Sequence, residues 1–106
     1  PQRIRFMTMT YDERVQVYTQ KYREDIEKSF KSLGFAEEYG LSVKTTVAAK
    51  LMDCTGEHIR KLARNGEIHA MYTDDGNGAK RFLIPGLIDY LARRQAIELV
   101  EIEDNK

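Results

Sequence analysis

Thr45-Thr46-Val47-Ala48-Ala49-Lys50-Leu51-Met52-Asp53-Cys54-Thr55-Gly56-Glu57-His58-Ile59-Arg60-Lys61-Leu62-Ala63-Arg64-Asn65-Gly66 is the stretch on which the reading of this chain turns. Its apolar residues fall into two short groups, each spaced so that the side chains share one face of a helix. Val47, Ala48, Leu51 and Met52 make the first group, with Thr46 placed to cap it. Ile59, Leu62 and Ala63 make the second, with Thr55 as its cap and Asn65-Gly66 as a left-handed stop. Asp53-Cys54 lies between them as a tight turn.

The second helix carries an unusual outer side. With Ile59 turned inward at 100° per residue, Glu57, Lys61 and Arg64 point the opposite way and His58 and Arg60 flank them. Long cationic side chains on a short capped helix are suited to base edges in a major groove, and the free N–H groups at the helix start suit a phosphate. A polar outer face is equally what any surface helix has, and Glu57 with Lys61 reads as an ordinary i,i+4 ion pair.

Downstream, Ile68–Thr73 and Lys80–Ile84 read as two short strands around the turn-rich Asp74-Asp75-Gly76-Asn77-Gly78, that is, a β-hairpin. Lys80 and Arg81 stand at its base, where they can meet a phosphate backbone or a minor groove. They can also serve to protect an edge strand, and Asp74-Asp75 weigh against a deeply inserted loop. Pro85 suits the first turn of a further helix with Leu87, Ile88 and Leu91 as its buried side, and Arg93 and Arg94 near its end complement the dipole or add backbone contacts. Beyond Gln95 the run Ala96–Ile102 fits a helix or a strand equally.

Upstream, Thr10 and Glu13 have the spacing of a capping box, and Tyr18, Tyr22, Ile26, Phe30 and Leu33 draw one apolar stripe down a long helix that Gly34 can end. Phe35 and Tyr39 make residues 35–41 an anchored connector. The expected organisation is a helical extension over residues 1–40, packed on the same domain or used for dimerisation, a DNA-binding unit over 41–94, and an acidic tail over 95–106. Arg3 and Arg5 are either an arm that follows a minor groove or solvated terminal charge.

Composition narrows the classes. In 106 residues, 17 Lys plus Arg balance 17 Asp plus Glu, so a nucleic-acid site would be a local patch and not a global field. Residues 41–81 are mildly basic, with seven cations against five acids, while Glu98, Glu101, Glu103 and Asp104 crowd the end. Cys54 is the single cysteine and is expected to be a buried structural thiol in a reducing cytoplasm. No apolar run has the length of a membrane span. His58 and His69 lack metal-ligand spacing with Cys54, no glycine-rich phosphate loop precedes a helix, and no base is placed to activate Cys54. The expectation is a non-enzyme with no catalytic residue, no metal and no cofactor.

The ordered series Ala48-Ala49-Lys50-Leu51-Met52-Asp53-Cys54-Thr55-Gly56-Glu57-His58-Ile59-Arg60-Lys61-Leu62-Ala63-Arg64-Asn65-Gly66-Glu67-Ile68, then Lys80-Arg81-Phe82-Leu83-Ile84-Pro85 and Leu87-Ile88-Asp89-Tyr90-Leu91, resembles the excisionase-type branch of the MerR-like winged-helix superfamily. The likeness covers about half the chain and leaves out the long N-terminal helix. It implies a mainly α fold with a small β-hairpin (α+β), a winged helix-turn-helix with an additional N-terminal helix. It also implies contact with double-stranded DNA through Thr46, Thr55, Gly56, Glu57, His58, Arg60, Lys61, Arg64, Lys80 and Arg81. Three features depart from the family: Asp53 stands where it favours Gly, tolerable because Asp can visit a left-handed conformation, Gly56 replaces a usual polar or basic residue, and two extra residues, affecting the placement of Lys44 and Thr45, stand between Leu41-Ser42-Val43 and the first helix.

By that resemblance the chain is expected to regulate transcription or to assist recombination or DNA transfer of a bacterial, phage or plasmid mobile element. It would act as a homo-oligomer on adjacent half-sites, with or without a recombinase or other DNA-processing partner. The competing expectation is a protein-protein interaction module that keeps the fold and acts through its N-terminal helix.

Overall fold

Thr10 and Glu13 close a reciprocal capping box at the start of α1 (Tyr11–Ser32) in the computed structural model, which describes residues 9–72 and 80–105. Gly34, at φ +79°, ends that helix and opens the single-turn α2 (Phe35–Tyr39). The expected connector is therefore one helical turn, held by edge-to-face contact of Phe35 with Phe30 at 5.7 Å and by Tyr39 at 5.6 Å.

The chain then forms β1 (Ser42–Lys44), which runs straight into α3 (Thr45–Leu51), followed by α4 (Gly56–Arg64), β2 (Ala70–Tyr72), β3 (Lys80–Leu83) and α5 (Ile84–Asp104). The architecture is a mainly helical domain with a small three-stranded antiparallel sheet in the order β1-β3-β2. β1 was not anticipated. Three residues are too few to show a period of two, and its partner lies some 40 residues downstream, with Val43 opposite Phe82 and Lys44 opposite Arg81. On the other side of β3, Ala70 pairs with Phe82 and Met71 with Arg81. The expected loop at Asp74–Gly78 lies outside the described residues.

Directly opposed residues share a face of the sheet. Val43, Phe82 and Ala70 therefore form the inner face, and Phe82, fully enclosed, packs with Ala48, Ile59, Leu62, Ile68, Ile84, Leu87 and Ile88 in the main core. Ser42, Lys44, Arg81 and Met71 form the outer face.

Three expectations are corrected. Thr46 does not cap α3: because β1 enters the helix directly, Lys44 is the N-cap, without a side-chain cap bond, and Thr46 sits exposed in the first turn. Residues 95–104 are not a tail. They continue α5 as helix, with Ala96 and Val100 fully buried against Val15 of α1. In consequence Arg93 and Arg94 lie in the middle of α5, away from the C-terminal dipole.

α1 and α5 run antiparallel, since Arg14 bonds Asp104 and Glu103 at one end, Arg23 pairs with Asp89 further along, and Ile26 and Phe30 reach the main core at the other. Of the expected stripe, Tyr18, Tyr22, Ile26 and Phe30 are thus turned toward their own chain, whereas Leu33 is exposed. Two helices of about 30 Å each extend beyond the sheet, which makes the described residues elongated, 54 × 30 × 21 Å. Among them no helix is long and apolar enough to cross a membrane.

Candidate nucleic-acid interface

Both ends of α4 are fixed by backbone geometry. At its start Thr55 is extended and its hydroxyl oxygen accepts from the His58 N–H at 3.1 Å, the cap expected from the sequence. The preceding turn depends on Asp53, among the described residues the one non-glycine residue with positive φ, at +52°. That conformation lets the Cys54 N–H reach Ala49 O at 2.9 Å and the Asp53 N–H reach Lys50 O at 3.3 Å, so the last carbonyls of α3 are satisfied. Gly66, at φ +76°, repeats the arrangement after α4, with Glu67 N–H on Leu62 O at 2.9 Å and Gly66 N–H on Ala63 O at 3.1 Å. Cys54 is half-buried against the main core, and burial, with the Asp53 carboxylate next, pushes its thiol pKa up.

Between these stops α4 is sharply two-sided. Ile59 and Leu62 are 0% and 4% exposed, whereas Glu57, His58, Arg60, Lys61 and Arg64 are all exposed. α3 is the helix that packs on α4, through the inner side, and α1 lies against α5. Gly56 is half-buried, and a methyl group there would stand 3.7 Å from the Thr45 methyl carbon and 3.8 Å from the Arg60 guanidinium. This closeness puts the starts of α3 and α4 side by side.

The ion pairing on this face differs from the sequence expectation. Glu57 is bonded by Arg60 and Arg64, each at 3.5 Å, and not by Lys61. Side chains on a helix lean toward its N-terminus, which carries both guanidinium groups back over Glu57. Among the described residues Lys61 has no ion-pair partner.

Lys80 and Arg81 begin β3 and are half-buried. Arg81 is tied down: its Nε donates to Ser42 Oγ at 3.0 Å and its Nη2 to Ser42 O at 2.9 Å. The bend toward Ser42 has a cause in the register, because Lys44 stands directly opposite Arg81 and like charges in that position repel. Arg81 therefore fastens β3 to β1 and presents only part of its guanidinium outward. Lys44, exposed at the junction of β1 and α3, joins the cations of this region and was not anticipated, since only the long-range pairing places it there.

The expected residues separate into three groups. Glu57, His58, Arg60, Lys61 and Arg64 form one open face, Thr46, Thr55 and Gly56 lie at the neighbouring starts of α3 and α4, and Lys80 and Arg81 sit on the adjoining sheet. Among the described residues no cluster of His, Cys, Asp or Glu could hold a metal. Set against known proteins, the chain matches no protein-family model, no curated protein and no solved structure.

Proposed function

We propose that the chain is a sequence-specific double-stranded DNA-binding accessory protein of the winged helix-turn-helix kind. In this reading α3 and α4 are the helix pair, α4 lies in the major groove, and the β2–β3 strands form the wing on the backbone or minor groove. One observation carries the reading: α4 buries Ile59 and Leu62 and leaves all five long polar side chains of the other side in solvent. Three of those five side chains are permanently cationic, which suits phosphate and base edges.

The excisionase-like resemblance supports transcriptional regulation, or recombination and DNA transfer, in the cytoplasm as the process. A unit of this size has a small interface, so tight binding calls for copies on adjacent half-sites. Interaction through α1 is less well supported, because its Tyr18, Tyr22, Ile26 and Phe30 stripe is already engaged with α5 and the core.

The test is fluorescence anisotropy of the full chain on a mixed-sequence duplex across a salt series, with the Lys61→Glu, Arg64→Glu double variant alongside. The wild type should lose affinity steeply as salt rises, and the variant should bind at least about tenfold more weakly with a shallower slope. Binding that is indifferent to salt, or a variant equal to wild type, contradicts the proposal.

A further inference from the structure

The pairing of Glu57 with both arginines of the open face is more than surface decoration. Glu57 has 71% of its side chain exposed, Arg60 49% and Arg64 59%. Exposed pairs at 3.5 Å are weak, so their formation adds little to stability. Their effect is on charge: one carboxylate sits between two of the three permanent cations on α4 and neutralises much of what that face would offer a phosphate backbone.

Resting on the DNA-binding reading, we infer that Glu57 is a specificity gate. By partly compensating the charge of Arg60 and Arg64 it lowers their attraction to generic phosphate and favours a half-site containing guanine and cytosine. Residues 57, 60, 61 and 64 cover seven helical steps, about 10 Å of axis, which matches about three stacked base pairs. Arginine is bidentate to guanine O6 and N7, and a glutamate accepts from the cytosine amino group. On such a sequence Glu57 exchanges its arginine partners for the cytosine N–H while the arginines meet guanine, and every charge remains compensated.

On A·T-rich DNA the exchange is incomplete: the carboxylate can accept from the adenine amino group, but no guanine O6 and N7 pair takes up the arginines. The charges of the face are then only partly compensated, and the approach is penalised. Discrimination arises from this repulsive element as much as from the attractive ones. Lys61, one turn from Glu57 but outside its ion pairs, supplies backbone attraction that the gate does not control.

The experiment compares wild type, Glu57→Gln and Lys61→Gln, first by selection from a duplex library with a randomised centre, then by anisotropy on mixed-sequence duplex. Wild type should enrich guanine and cytosine at positions within a window of about three base pairs. Glu57→Gln, isosteric and fully on the surface, should bind mixed-sequence duplex about three- to tenfold more tightly and lose about tenfold of the preference for the enriched sequence. Lys61→Gln should weaken binding to all sequences alike.

Unchanged enrichment in Glu57→Gln, or weaker binding to both duplexes, overturns the gate while leaving DNA binding intact. A wild type that retains no duplex at any salt removes the DNA-binding reading and the gate together.

Discussion

α4 and the seam between α1 and α5 use the same residue types in opposite ways. Along the seam, charged groups reach across: Arg14 bonds carboxylates 89 and 90 residues away and Arg23 bonds Asp89, with the Tyr18 hydroxyl donating to Glu103 at 3.0 Å. On α4 the partners of Glu57 are three and seven residues away on its own helix. A pair that closes a long loop in sequence holds two elements together and has little freedom to do anything else. A pair within one helix holds nothing together, and its members stay available to a ligand.

The apolar parts differ as well. Phe82, Ile59 and eight further buried residues fill the main core, whereas the seam has three buried residues, Val15, Ala96 and Val100, with half-buried Tyr18, Tyr22 and Ile97 packed against them. The main core is therefore expected to fix the fold, and the seam to set only how firmly α1 is attached.

The largest effect should come from Phe82→Ala, which removes a fully enclosed ring shared by the sheet and the helices and should cost about 3–5 kcal/mol in urea unfolding. A cost near that of a surface substitution would mean that the sheet does not anchor the core. Next, Ala96→Leu forces a large side chain into the seam at a cost of about 1–3 kcal/mol. In hydrogen exchange the amides of α1 should lose protection while those of α4 keep it. Uniform loss would show seam and core to be one cooperative unit, dissolving the distinction.

The smallest effect concerns pH. Burial, followed by the hydrogen bond to Glu103, raises the Tyr18 phenol above its ordinary value. A group with a raised folded pKa contributes its stability fully below the unfolded value, about 10 for tyrosine, and loses it as pH climbs through the folded value. Tyr18→Phe should thus be less stable than wild type by about 0.5–1.5 kcal/mol at neutral pH, with the difference shrinking above about pH 10. A difference that holds constant or grows there would show that the phenol does not titrate as part of the seam.

How much of this could be read beforehand depended on range. The Thr10–Glu13 box, the Thr55 cap and the Gly66 stop are decided within five or six residues, and local chemistry located all three, while the left-handed Asp53 was legible only through the resemblance, which has Gly there. The two-sidedness of α4 followed from its period alone. β1 was hidden because its pairing energy comes from β3, far along the chain, and with it went the Arg81–Ser42 tie, the placement of Lys44 and the true start of α3. For residues 96–102 the period left helix and strand equal, and the decision came from α1, whose Val15 covers Ala96 and Val100. The partner of Glu57 also differed: spacing allowed Lys61 at i+4, whereas Glu57 pairs with Arg60 at i+3 and Arg64 at i+7.

The locked ends of α4 have a consequence for how this protein can change over time. A segment bounded by Asp53 and Gly66, with its interior face fixed by Ile59 and Leu62, behaves as a cassette. Replacements at 57, 58, 60, 61 or 64 are invisible to the framework and cost the fold almost nothing, so this short surface can be recoded one side chain at a time while the rest of the molecule stands still.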